Sequence, residues 1–315
     1  MEAARSDLED KGGVALQGYV SATWNMLKQT VLSFISDEAL SRGAAISFYT
    51  VTSIAPVLLI VIAVAGLAFG REAAQNAVIG QLSGLMGQQT AEVLQTAVAN
   101  AGKTSSGIVA TVVGIAVLIV TASGVFGEMQ TSLNAIWKAK PRGTTLSRLI
   151  RARAASLGLV ACLGFLLMVS LVVSTALTAL GNYLDTVLPF GKAILTVLNG
   201  VVSLILISFL FAAIYKVLPD RKLEWRDVAI GAVATALLFT IGKALISWYI
   251  GSSAVASSFG AAGALIVLLL WVYYSAQIFL LGAEFTKVFA ARRDSKRDVD
   301  ARTPPLVPNH EGVVP

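Results

Sequence analysis

Between Arg42 and Arg71, Lys103 and Glu128, Arg153 and Asp185, and Lys192 and Lys216 the chain carries no charged side chain. Each interval is long enough to hold the roughly 20 apolar residues that take a helix across about 30 Å of hydrocarbon. A further run from Asp227 to Glu284 holds only Lys243 and is divided by small polar residues between Gly251 and Ser258. The expectation is an all-α, polytopic membrane helix bundle of six spans, about 44–70, 107–126, 155–180, 193–215, 228–250 and 260–283. Composition agrees, since 56% of residues are hydrophobic and only 13% are charged, about half the charge of an average soluble domain.

Lys and Arg alternate along the chain in a way that orients the spans. Lys138, Lys140, Arg142, Arg148, Arg151 and Arg153 follow span two, and Lys216, Arg221, Lys222 and Arg226 follow span four. Opposing loops hold only Arg71 and Lys103, then Lys192. Basic loops stay in the cytoplasm, which places both termini there. The net charge of +6 is thereby explained by topology, and no nucleic-acid partner is expected.

Outside the spans three segments are distinguishable. Residues 1–43 form an N-terminal cytoplasmic segment in which Leu16, Val20, Trp24, Leu27, Val31 and Ile35 recur at helical spacing. Such a helix lies in the membrane interface or packs on the ends of the bundle. Residues 73–101 carry two weaker patterns, around Val78, Leu82 and Met86 and around Val93, Leu94 and Val98, expected to make a small external helical cap. Residues 291–315, with Pro304, Pro305 and Pro308 and no apolar periodicity, are expected to be a disordered cytoplasmic tail.

No catalytic residue, metal site or cofactor is called for. The lone histidine, His310, sits in the tail, the lone cysteine, Cys162, sits in an apolar run, and no GxxxxGK[ST] phosphate loop occurs. The informative residues are polar groups inside spans, which are costly in lipid and tend to face the bundle interior or a wet cavity. Lys243 lies about 15 residues into span five, or about 22 Å from its cytoplasmic end. Asn199 and Ser174 reach similar depth, and the three form a candidate cargo-binding layer; the alternative for Lys243 is an ammonium snorkelling to the outer interface. Ser47, Thr50 and Ser53 recur every three residues and are candidates for the same cargo, or else simple packing groups. Pro56 removes a backbone hydrogen bond and is expected to kink span one. Gly66 and Gly70 form a GxxxG pair, a weak signal of helix contact. Glu284, about 35 Å along span six, belongs at the cytoplasmic interface, paired with Lys287 or with basic loops at the low worth of an exposed ion pair.

These same regions carry a resemblance. DEALSRGAAISFYTVTSIAPVLL from Asp37, SLNAIWKAKPRG from Ser132, YKVLPDRKLEWRDVAIGA from Tyr215 and FGAAGALIVLLLWVYYSAQIFLLGAEFTKV from Phe259 are together similar to the YihY/BrkB family of bacterial inner-membrane proteins, formerly labelled ribonuclease BN. The likeness covers most of residues 13–290, with Phe259-Gly260 standing where relatives often carry Tyr-Gly. It implies six spans, a cytoplasmic-membrane address, and a role in envelope integrity, serum resistance or export of a lipid or lipopolysaccharide precursor. Membrane lipids are the expected partners, and an anionic lipid or envelope precursor the expected cargo. A structural or partner-binding membrane protein is the rival reading. A nuclease is opposed by the lack of clustered acidic or histidine ligands. The topology has a direct check: a reporter fused in the loop containing Arg148 should give a cytoplasmic signal, and an external signal there overturns the orientation.

Overall fold

The structure, a computed structural model, describes residues 21–86, 88–103, 124–139, 191–252 and 260–302. Among them every regular element is helical. In chain order these are α1 (21–36), α2 (Ala39–Phe69), α3 (Arg71–Met86), α4 (Gln88–Lys103), α5 (124–136), α6 (Gly191–Val217), α7 (Trp225–Ser252) and α8 (Gly260–Arg302). The third expected span, nearly all of the second, and Ser174 lie outside the described residues.

Three helices are long and apolar enough to cross a membrane, over Val197–Val217, Trp225–Ile246 and Ala262–Ser295. A fourth is obtained if α2 counts as one bent span, because its halves Ala39–Ala55 and Val57–Leu67 meet at 45°. The bend falls at Pro56, which has no N–H to give to the helical ladder. Val197, Val201, Ile205 and Phe209 on α6, Ile241, Leu245 and Trp248 on α7, and Leu265 and Ile266 on α8 are all exposed. An outward apolar face of this extent suits hydrocarbon rather than water.

α8 is the organising element. It packs against both α7 and α2, while α6 packs on the other side of α7. One apolar core gathers Leu133, Ile136 and Trp137 from α5 and its end, Phe211 and Tyr215 from α6, Val228 and Ala232 from α7, and Phe279 and Leu280 from α8. Several of the basic side chains named above, Lys138, Lys216, Arg221, Lys222 and Arg226, belong to this part of the molecule together with Arg292 and Arg293 of α8, and it is hereafter the basic end. A second core lies toward the other end, where Leu94 and Val98 of α4 meet Leu58 and Ile62 of α2 and Leu268 and Val272 of α8. The apolar stripes read in residues 73–101 are thus the faces that α3 and α4 use for packing.

The contact between α7 and α8 is made by a reciprocal pair of small residues. Gly231 on α7 faces Thr286 on α8, and Gly282 on α8 faces Thr235 on α7; a Cβ at either glycine would overlap the facing threonine hydroxyl. Each threonine donates its O–H to the carbonyl of the glycine four residues before it in its own helix, Thr235 to Gly231 and Thr286 to Gly282, both at 2.7 Å. The hydroxyls are thereby satisfied internally and the backbones approach closely, the small-xxx-small device of membrane helices. Tyr215 of α6 completes the knot, donating its hydroxyl hydrogen to the Phe279 carbonyl at 2.6 Å and lying 3.2 Å from Thr235 Oγ1.

Two expectations are revised. Among the described residues, a Cβ at Gly66 meets only Arg71 and one at Gly70 meets nothing within 4 Å. Gly70 takes φ +85° and its N–H bonds Gly66 O at 2.9 Å, so the pair ends α2 and turns the chain into α3. Residues 291–302, expected in a disordered tail, continue α8 to Arg302. Arg, Lys and Asp alternate here and are compatible with helix, while Arg292 anchors the segment by donating to Ala22 O of α1 at 2.6 Å. Residues 303–315 lie outside the described residues.

The apolar stripe of α1 is turned outward, with Trp24, Leu27, Val31 and Ile35 all exposed. That disposition matches the interfacial reading better than packing against the bundle ends. The glycine–threonine contact is open to test: Gly282→Val should destabilise the detergent-purified protein by about 1–3 kcal/mol. Gly200→Ala, where none of the described residues lies within 4 Å of the added Cβ, should leave the thermal midpoint unchanged or raised.

Candidate functional site

At the basic end three ionic groups of distant origin meet. The turn between α1 and α2 puts Glu38 at φ 54°, a left-handed conformation unusual for a side chain other than Gly or Asn, and Asp37 immediately before it. The Asp37 carboxylate accepts a hydrogen bond from Lys287 Nζ of α8 at 2.7 Å. The same ammonium donates to Glu284 Oε2, one turn back on α8, at 2.9 Å. Glu284 is 0% exposed, and its second oxygen, Oε1, is buried and accepts no hydrogen bond. Burial alone would raise the Asp37 carboxyl, but the hydrogen bonds and charge of Lys287 outweigh it and hold Asp37 below the usual carboxylate range.

Glu284 therefore sits with Lys287, as its sequence position indicates, but not as an exposed pair. Its neighbours Leu280, Ala283 and Val288 are buried, and a charge there falls under the rules for buried ion pairs, where removal of one partner is far more damaging than at a surface.

Two further polar clusters adjoin this one in the chain. Arg293, less than two turns beyond Lys287, pairs with Asp227 at 2.7 Å and also with Glu224. Asp227 is buried in the first turn of α7, where a carboxylate also complements the helix dipole. Asn134 of α5 and Asp220, in the loop between α6 and α7, bond reciprocally: the Asn134 amide donates to the Asp220 carboxylate at 2.9 Å and accepts from the Asp220 backbone N–H at 2.8 Å. Arg221 donates to the Trp137 carbonyl at 3.2 Å and lies over the Trp137 ring at 5.6 Å, while Lys216 lies 5.1 Å over Trp225 and donates to the Leu223 carbonyl. Charge and ring faces thus lock the α6–α7 loop to the end of α5.

The residues singled out in the sequence are distributed differently. Lys243 is half-buried on α7, well away along the helix from the basic end, and Asn199 is exposed on α6. Ser47 and Ser53 are buried and Thr50 half-buried on α2; they donate to the carbonyls of Ala44, Ile46 and Thr50, Ser47 at 2.9 Å, Thr50 at 2.7 Å and Ser53 at 3.1 Å. So placed, these hydroxyl hydrogens are engaged within α2 and leave only lone pairs for a ligand. No cluster of three or more His, Cys, Asp or Glu able to hold a metal occurs among the described residues.

Asp37, Asn134, Asp220, Asp227 and Arg293 were not singled out as site residues from the sequence. The available signal was their position: apart from Arg293 they fall within the four family-like segments, as do Tyr215, Glu284 and Lys287. Those segments, far apart in the chain, converge on one end of the bundle.

Long apolar helices with outward apolar faces around a buried ionic knot define a polytopic α-helical membrane protein. The sequence profile of the Virulence factor BrkB family matches residues 30–306, and the chain belongs to that family. It is similar to the UPF0761 membrane protein MS0032 of Mannheimia succiniciproducens, 27% identical over 265 residues, covering 82% of this chain and 88% of that protein. The UPF0761 membrane protein of Alcanivorax borkumensis is 31% identical over 191 residues, 60% of this chain and 43% of that protein. The UPF0761 membrane protein PM1616 of Pasteurella multocida is 33% identical over 180 residues, 56% of this chain and 54% of that protein. The alignments to the latter two thus span about half of each relative's length. None of these three names denotes an enzyme. No solved structure matches the chain.

Proposed function

We propose that the protein is a transporter or flippase-like protein of the bacterial inner membrane, with both termini in the cytoplasm, moving a lipid or other anionic envelope-related cargo without hydrolysing ATP itself. The observation that carries this reading is the triad of Asp37, Glu284 and Lys287, in which Glu284 is fully buried while Asp37 and Lys287 are partly exposed. Two carboxylates share one ammonium, and one oxygen of a fully buried glutamate is left without a partner. A static scaffold gains little from such an arrangement, because well-packed apolar residues stabilise a core at least as well as a buried ion pair. Ionisable groups retained inside membrane bundles more often belong to ion pathways and coupled movements.

Lys243 supplies the second element. Half-buried on α7 toward the end opposite the basic cluster, it offers three N–H donors at a depth suited to a lipid phosphate near the outer leaflet. With the hydroxyls of Ser47, Thr50 and Ser53 donating within α2, Lys243 and Asn199 are the described residues best suited to meet an anionic headgroup.

Purified protein in vesicles should accelerate transbilayer movement of a fluorescent anionic phospholipid. Lys243→Met should insert normally yet slow that movement on the order of tenfold, equivalent to ~1.4 kcal/mol in the barrier. Lipid movement no faster than in empty vesicles favours the structural reading, in which the polar groups only fasten helices together.

A further inference from the structure

The triad is unbalanced in charge, and its geometry indicates what balances it. With both carboxylates ionised and Lys287 charged, it holds a net charge of minus one around a fully buried Glu284. Among the described residues no other cation pairs with that glutamate directly. Arg42 of α2 donates its Nε–H to the Asp37 backbone carbonyl at 3.0 Å, and Lys138, at the end of α5, is exposed and acts on Asp37. The next charged groups along α8 are engaged elsewhere, Arg292 with the Ala22 carbonyl and Arg293 with Asp227 and Glu224. Tyr215, which approaches α8 from α6, has its hydroxyl hydrogen committed to the Phe279 carbonyl.

A buried carboxylate lacking a full set of partners is stabilised by a cation or by a proton. A metal cation is disfavoured here, because the Lys287 ammonium already occupies the position between the two carboxylates. A proton fits. Asp37 and Glu284 flank the same ammonium, at 2.7 and 2.9 Å from Lys287 Nζ, so a proton on Glu284 leaves Lys287 paired with Asp37 and makes the triad neutral without moving a helix.

We infer that Glu284, with Asp37 and Lys287 beside it, is an exchangeable proton-binding site at the basic end of the bundle. Proton uptake forms one O–H bond on the Glu284 carboxylate and release returns the proton to water, with no other bond changed. In the neutral state Glu284 no longer draws on the Lys287 ammonium, so the tie from Lys287 to Asp37, which joins the α1–α2 turn to α8, changes with proton occupancy. That coupling supplies the driving ion for a carrier that lacks its own nucleotide site; this half of the inference rests on the transport reading, and the proton site itself does not.

Infrared difference spectroscopy on the full chain in lipid nanodiscs, titrated with acid and base, reads the site directly. A protonated-carboxyl band should persist at about pH 6, where a free glutamate of pKa ~4.3 is ionised. Glu284→Gln should abolish that band. Asp37→Asn removes the neighbouring negative charge and should move the band's titration down by about one pH unit. A band untouched by Glu284→Gln, the absence of any such band in the native chain, or a band that responds to sodium at fixed pH overturns the site. Should Glu284→Gln fail to fold, the Asp37→Asn titration decides by itself, and an unshifted band refutes the inference. Lipid movement in vesicles that is no faster with an imposed pH gradient than without one overturns the coupling alone. A normally titrating band in a protein that moves no lipid overturns the transport reading and leaves the proton site standing.

Discussion

One ammonium group holds together parts of the chain that are about 250 residues apart. Lys287 of α8 binds Asp37 in the α1–α2 turn and Glu284 on its own helix, so α2 is fixed against α8 at their shared end. Without that cation, Glu284 is an uncompensated charge in a fully buried position, a situation that costs on the order of 3–5 kcal/mol. The left-handed Glu38 that positions Asp37 adds roughly 1–2 kcal/mol of backbone strain. Both unfavourable contributions persist because the ion pairs and surrounding packing offset them.

The packing below the triad keeps its glutamate dry. Gly231 and Gly282 let α7 and α8 approach until each threonine touches the opposite backbone, and the stacked rings of Phe211, Tyr215 and Phe279 fill the space beside them. Water is thereby kept from Glu284, which strengthens every electrostatic interaction there and raises the penalty for breaking one. α8 takes part in both the small-residue contact and the ionic contact, and Arg293 extends the same helix to the start of α7. A change of charge at Glu284 thus bears on helices α2 and α7 through one rigid element.

Much of the fold could be read from the sequence because the hydrocarbon imposes simple requirements. Uncharged runs mark α2, α6, α7 and α8 to within a few residues at most of their ends, and Pro56 marks the bend in α2. The extension of α8 to Arg302 was not legible, because its helical state depends on anchoring contacts such as Arg292 to Ala22 O rather than on an apolar pattern. The ionic site was half legible. Glu284 and Lys287 are one turn apart on a helix, so their pairing follows from periodicity alone. Asp37 is nearly 250 positions away, and no local rule brings it to the same ammonium; only the four family-like segments hint that distant residues meet. The reciprocal Gly-x-x-x-Thr pattern at Gly231–Thr235 and Gly282–Thr286 is visible in the sequence once it is looked for, but its pairing is a tertiary fact.

The account turns on whether Asp37 and Lys287 are energetically coupled across the bundle, and a double-mutant cycle measures that directly. Unfolding free energies of the detergent-purified native chain, Asp37→Asn, Lys287→Met and the double variant should give a coupling of at least about 1.5 kcal/mol, within the range for contacting residues of one ionic network. Effects that add to within about 0.5 kcal/mol, as for independent sites, contradict the central role assigned to the shared ammonium.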